Sequence, residues 1–337
     1  MNIRYRLKKA LIRRSLERRK SAHPFDTEAA ERYALPSDAD ETRINSYYFS
    51  GHDMAGQSLL VRFAQRGGGK TEVWFAYRDA SGRAYVNTRT SWDGEPPAGV
   101  TCVEPGKQWA FFFDGAVRRL TDGTVVRARF AGTFEASGAP FDFSYHMDSS
   151  VLAGAIARQK WNRGFFDELQ QNNQVHYEQQ GRITGALSAD GQQMEISLPA
   201  MRDHSFGRRD WGYMQRHVWL MALMEDGSAL NVNFVSYPKL RLHTGYHVSA
   251  QGTRCVTDVS LPQPASGSVP GSMMYRVTLS DGTEVRVACA KEAEFVFPCG
   301  EAYTIHEGIG AFSSGGTMGR GIMEFGWNNG PSEGDPA

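Results

Sequence analysis

Cysteine is scarce in this chain. There are four in 337 residues (Cys102, Cys255, Cys289 and Cys299), with no C-x-x-C pair and no zinc-ligand spacing. In a chain of this length that pattern predicts reduced, mostly buried thiols and a cytoplasmic location. Long apolar runs are missing too. No stretch approaches the roughly 18–20 residues of a membrane-spanning helix, and the N-terminus lacks the apolar segment of about 7–15 residues that a secretory signal carries. Walker, Rossmann and H-E-x-x-H motifs are absent. Gly67-Gly-Gly-Lys-Thr71 has the glycines and lysine of a phosphate loop without its spaced first glycine, so it predicts a hairpin turn. His243 and His247 share one strand face by parity, but no third ligand accompanies them. The expectation is therefore no metal and no cofactor.

Acidic residues are nearly missing from one place only. Residues 1–20 carry nine basic side chains against Glu17 alone, so the rest of the chain holds 28 basic and 36 acidic residues. A mildly acidic body argues against nucleic acid as a partner. The basic segment, residues 1–22, has no Gly or Pro and predicts a helical arm. Its apolar residues divide, with Ile3, Leu7, Ala10 and Leu11 on one side and Ile12 and Leu16 on the other. That division predicts a solvated arm. Weak peripheral contact with anionic lipid is the alternative.

The remainder reads as all-β. Runs such as Ser58-Leu-Leu-Val-Arg-Phe and Glu72-Val-Trp-Phe-Ala-Tyr are rich in β-branched and aromatic residues. Asp-Gly pairs at 122–123, 190–191, 226–227 and 281–282 supply the positive φ that hairpin turns require. Between Asp148 and Asn173 the alternation lapses, and Val151, Leu152, Ala155, Ile156, Trp161 and Phe165 suggest a helical or irregular linker. The predicted organisation is a first β lobe over 23–148, a linker over 149–173, a second β lobe over 174–328, and a disordered tail over 329–337.

The candidate site is the stretch from Arg202 to Gly212. It packs three arginines, two aspartates, a histidine, a serine, Phe206 and Trp211 between predicted strands. Charged groups among aromatics suit the wall of a concave site. Asp203 is a candidate general acid, its pKa raised by apolar surroundings, and His204 a candidate base. Neighbours on a strand point to opposite faces, so the two cooperate only if the backbone bends near Gly207. His176 and Glu178 share a face, where a carboxylate can polarise an imidazole. Arg202, Phe206, Arg209, Trp211 and Glu324 are candidate ligand-binding residues. Ser205 lacks the G-x-S-x-G setting of a hydrolase nucleophile.

The run Arg202-Asp-His-Ser-Phe-Gly…Trp211-Gly, following His176-Tyr-Glu-Gln and preceding Glu324-Phe-Gly, resembles uncharacterised bacterial families related to the carotenoid hydratase (hydroxyneurosporene synthase) group. The resemblance covers residues about 45–328. It implies two tandem lipocalin-like antiparallel β-barrels. It also implies water-adding or water-removing enzymes on isoprenoids and flavonoid-like compounds, and cofactor-free cyclases. With the candidate residues, the expectation is metal-independent acid–base chemistry, a hydration, dehydration or isomerisation of a hydrophobic, isoprenoid- or steroid-like molecule. Phe206 stands where the group's motif usually has Trp, and Arg208-Arg209-Asp210 intervenes before Trp211. The added arginines suit an anionic ligand group. A non-catalytic lipocalin-like carrier of an apolar molecule is the alternative.

Overall fold

The computed structural model describes residues 3–172, 174–262 and 267–330. The expected tail lies outside the described residues from position 331 onward. No helix among the described residues is long and apolar enough to cross a membrane.

The first unit contains strands β1 (Arg43–His52), β2 (Ser58–Arg66), β3 (Thr71–Arg78), β4 (Ala84–Asn87), β5 (Ser91–Trp92), β6 (Ala98–Glu104), β7 (Gln108–Arg119), β8 (Val125–Ala136), β9 (Phe141–Asp142), β10 (Gln174–Ala189) and β11 (Gln192–Arg208). Eight of them close a ring in the order β1-β2-β3-β4-β7-β8-β10-β11, because β11 pairs with both β10 and β1. Strands β5, β6 and β9 pair onto β3, β7 and β10. All pairings are antiparallel. The second unit closes β12 (Arg216–Met224), β13 (Ala229–Tyr237), β14 (Leu240–Ser249), β15 (Gly252–Ser260), β16 (Ser272–Leu279), β17 (Glu284–Cys299), β18 (Tyr303–Ser314) and β19 (Thr317–Asn328) into an up-and-down barrel, with β19 returning to β12. Two closed eight-stranded antiparallel barrels are the architecture expected from the sequence.

The turn chemistry is observed where it was predicted. Asp190 (φ 55) and Gly191 (φ 73) link β10 to β11, a two-residue hairpin whose twist needs positive φ at both positions. Gly67 to Lys70 is the connection between β2 and β3 and no phosphate loop.

The lobe boundary differs from the sequence reading. Residues 174–208 belong to the first barrel, since β10 pairs with β8 (Leu187↔Phe130) and β11 with β1 (Phe49↔Arg202). Ile183, Leu187, Ile196, Leu198 and Ala200 enter the first barrel's core. Without β10 and β11 the edges of β1 and β8 would stay unpaired, an open sheet with exposed backbone donors and acceptors. The compact units are accordingly 26–142 with 173–209, and 1–25 with 143–172 and 210–337. The expected linker holds two helices, α3 (Ser149–Arg158) and α4 (Arg163–Gln171), and groups with the second unit.

Packing inside the first barrel is aromatic. Phe49 stacks on Phe111 and Phe75 on Phe113, each pair with centroids 4.2 Å apart. The second barrel's interior is mainly aliphatic, with Val218, Leu220, Val232, Val256 and Val277 among the buried residues. The four cysteines are free thiols.

The basic segment forms helix α1 (Ile3–Ala22), and it does not stand free. Lys8 Nζ donates to the Gln159 carbonyl at 2.7 Å, and Lys20 donates to the Met147 carbonyl. Gly154 on α3 lets the Tyr5 hydroxyl approach to where a Cβ would lie 3.3 Å away. A short helix, α2 (Thr27–Glu31), begins the first unit and is capped by the Asp26 carboxylate.

Candidate functional site

Strands β10, β11 and β1 form one wall of the first barrel, and alternation sends their side chains to two different environments. Asn45, Tyr47, Phe49, Tyr177, Gln179, Arg202, His204 and Phe206 point inward, on the same parity as core residues Leu198 and Ala200. His176, Glu178, Asp203, Ser205 and Ser46 point outward.

The inward set is a closed polar network. Glu31, from α2, accepts from the Tyr177 hydroxyl at 2.6 Å and from Trp109 Nε1 at 3.0 Å, and it forms an ion pair with Arg202. The Arg202 guanidinium lies 3.6 Å from the Trp109 ring centroid. His204 sits between Asn45 Oδ1 (2.8 Å) and the Tyr177 hydroxyl (2.6 Å), stacked on Tyr47. Arg202 and His204 are both 0% exposed. Burial and the neighbouring Arg202 charge push the His204 imidazole down to about 3, against the opposing pull of Asp203. His204 is enclosed, and burial disfavours the charged form of its ring.

This corrects the expected Asp203–His204 pair. Gly207 does take a positive φ of 116°. The β11 register nevertheless runs unbroken through Asp203↔Tyr48, His204↔Tyr47 and Ser205↔Ser46. The two side chains stay on opposite sides of the wall. Arg202 is likewise no ligand-binding group, because its charge is committed to Glu31 in the interior. Phe206 also points inward and stacks on Tyr33 at 4.1 Å.

The outward set brings three predicted residues together. Glu178 and Asp203 are directly opposed across β10 and β11. The His176 Nε2 lies 2.5 Å from Asp203 Oδ2 and 3.3 Å from Glu178 Oε1. Both carboxylates are buried, whereas the His176 side chain is 30% exposed. Ser205 Oγ donates to Asp203 at 3.3 Å and accepts from Arg209 Nη2 at 2.9 Å. Farther along the same face, Ser46 accepts from Arg62 Nε at 3.1 Å, and Arg62 pairs with Glu72 at 2.9 Å.

Electrostatics reverse the roles expected of Asp203 and its partner. Burial opposes charge on His176, but the Asp203 and Glu178 carboxylates outweigh it and push the imidazole up to about 10. Burial would raise Asp203, yet His176 and then Arg209 hold its carboxyl below the usual range. The proton therefore resides on His176, and Asp203 is a carboxylate, not an acid. One imidazole and two carboxylates with donor atoms within 4.8 Å are also a donor set that suits a divalent cation. Neither His243 nor His247 joins a group of three such ligands among the described residues.

Trp211 and Glu324 belong to the second unit. Trp211 stacks on Tyr303 at 5.2 Å, and His217 bridges the Tyr303 hydroxyl (2.8 Å) and Glu324 Oε1 (2.5 Å). Glu307, fully buried, is the cross-strand partner of Glu324. Glu31 and His217 carried no sequence signal. Glu31 sits in a polar lead-in, and His217 meets Glu324 only through the register of β12 and β19.

Several solved structures share this architecture. A protein described as AttH from Nitrosomonas europaea is 16% identical, with a TM-score of 0.56 over 90% of this chain and 97% of that one. Kievitone hydratase from Nectria haematococca is 10% identical, with a TM-score of 0.51 over 88% and 92%. CghA in complex with Sch210972 is 10% identical, with a TM-score of 0.50 over 88% and 95%. At these identities the likeness is one of fold. No curated protein matches the sequence. Residues 34–329 match the DUF7064 family, a domain of unknown function, and the chain belongs to that family.

Proposed function

We propose that this chain is an acid–base enzyme of hydratase, dehydratase or isomerase type acting on a hydrophobic small molecule, with His176 as the proton donor. The observation that carries the reading is the partly exposed imidazole held between two buried carboxylates, Asp203 and Glu178. Burying two carboxylates costs several kcal/mol unless a positive partner offsets it. His176 is that partner, and it stays protonated throughout the neutral range. Proton transfer to an alkene or enone carbon then leaves a neutral imidazole, which takes its next proton from solvent, a step that the two adjacent carboxylates favour by stabilising the imidazolium. Arg209, next to Ser205 and Asp203, remains the arginine suited to an anionic group on the ligand. The resemblance to the carotenoid hydratase group supports this class of chemistry, and kievitone hydratase supplies a hydratase, by its name, on the same fold.

The carrier alternative has the first barrel's interior against it. Phe49, Phe111, Phe134 and Trp109 fill that interior, each no more than 3% exposed, where a carrier requires a cavity.

The test is isotope incorporation. The protein is incubated with a panel of isoprenoid alkenes, tertiary alcohols and enones in oxygen-18 water and in deuterium oxide, and products are read by mass spectrometry. Solvent oxygen or deuterium should enter at least one compound, and His176→Gln should slow that entry by about a hundredfold or more. Retention of one compound in stoichiometric, unlabelled form across the panel would assign the protein as a carrier.

A further inference from the structure

Helix α1 has two apolar stripes on opposite faces, and only one of them is used. Tyr5, Ile12 and Leu16 lie on the half-buried side, together with Lys8, Lys9 and Lys20. This is the side that meets the segment around α3. Lys8 donates to the Gln159 carbonyl and lies 4.6 Å from the Trp161 ring, and Arg158 approaches the Tyr5 ring at 5.9 Å. The other stripe faces outward. Ile3, Leu7 and Leu11 recur every fourth residue and are 76%, 68% and 62% exposed. Among the exposed large apolar side chains of the described residues, only Met274 is comparable. Helical spacing sets Arg14 and Arg18 on this same outer face, seven residues beyond Leu7 and Leu11, and both are exposed.

We infer that the outer face of α1 is a docking surface for an anionic lipid bilayer. Three features point to that partner. The exposed residues are aliphatic and interleaved with arginine, the composition that lets a helix lie in the interface with its apolar side chains among acyl chains and its cations at the headgroups. The charge is segregated. Residues 1–20 hold nine basic residues and one acidic, while the remainder is acidic by eight charges, so an anionic surface attracts this helix and repels the rest. The helix is also anchored from behind, since its α3-facing side holds it in place and leaves the outer stripe presented without a folding cost on binding. This contact does not depend on the reaction proposed above.

The experiment uses the full chain with vesicles of phosphatidylcholine alone and of phosphatidylcholine with about one-third phosphatidylglycerol, read by co-sedimentation. Binding is expected to the anionic vesicles only and to weaken as salt shortens the roughly 10 Å screening length of about 0.1 M buffer. Leu7→Ser with Leu11→Ser should weaken it by about tenfold or more, the loss expected on removing two inserted leucines. Arg14→Gln with Arg18→Gln should weaken it by about 25-fold, about fivefold for each charge at an anionic surface. All four positions are exposed, so the thermal melt of each variant should match the parent. Equal binding to both vesicle types, or to neither, overturns the proposal. So does a leucine variant that binds as the parent does, or one that melts markedly lower, since either would mean that these leucines do not form a free outer face.

Discussion

Asp203 and His204 are adjacent in the chain and chemically separate. The carboxylate of Asp203 pairs with His176 on the outside of the first barrel, and the imidazole of His204 meets Tyr177 and Asn45 inside it. The environments have opposite effects on two histidines of one wall. His176 is raised to about 10 by carboxylates, and His204 is lowered to about 3 by burial and Arg202. The predictions below follow from that division.

His176 should give the protein an alkaline limb of stability. Its folded pKa lies above the unfolded value, so its contribution is complete below about 6.5 and is lost as the pH rises through about 10. Melting temperature measured from neutral to strongly alkaline pH should fall across that window, and His176→Gln should flatten the fall. A variant whose profile superimposes on the parent would remove His176 from the ion pair.

Asp203→Asn tests the same pair from the other side. Without that carboxylate the His176 imidazole should titrate well below its parent value. Glu178, 3.3 Å away, should keep part of the elevation. Proton NMR of the His176 ring resonances across the titration reads this directly. Turnover, once a substrate is in hand, should drop by about a hundredfold or more.

His204 predicts the acid limb. Its folded pKa is depressed, so the neutral ring's contribution is present above about 6.5 and is lost as the pH falls toward about 3. His204→Gln should lower stability by about 1–3 kcal/mol through its buried hydrogen bonds. It should also shrink the acid destabilisation between those pH values, as measured by urea midpoints.

Glu31 should behave as a structural anion. Glu31→Ala leaves Arg202 charged and buried beside Trp109, which should cost about 3–5 kcal/mol in a urea unfolding experiment. Combining Glu31→Leu with Arg202→Met should recover most of that loss. If the double replacement is as unstable as the single, the loss comes from packing and the ion pair is incidental.

Parts of this arrangement were readable residue by residue. The shared face of His176 and Glu178 follows from the two-residue strand period, and the hairpin at Asp190-Gly191 from the positive φ both residues tolerate. The parity argument also warned that Asp203 and His204 diverge. It could not say which of the two points inward, because a strand flanked by polar residues on both faces has no apolar side to mark the core. Glu31 was not readable at all, since its partners Trp109, Tyr177 and Arg202 lie 78, 146 and 171 residues away.

The sequence by itself determined the all-β class, the positions of the tight turns, the basic helix and the alternation that assigns side chains to faces. These are local properties, set by backbone φ/ψ preference and by the period of the apolar pattern. Tertiary structure alone decided which strands close which barrel. It moved β10 and β11 into the first barrel, since only pairing across the chain can satisfy the backbone edges of β1 and β8. It decided the protonation of the site as well. The Asp203 carboxyl and the His176 imidazole acquire their charges from each other, and their mutual distance is a product of strand register that no local pattern contains.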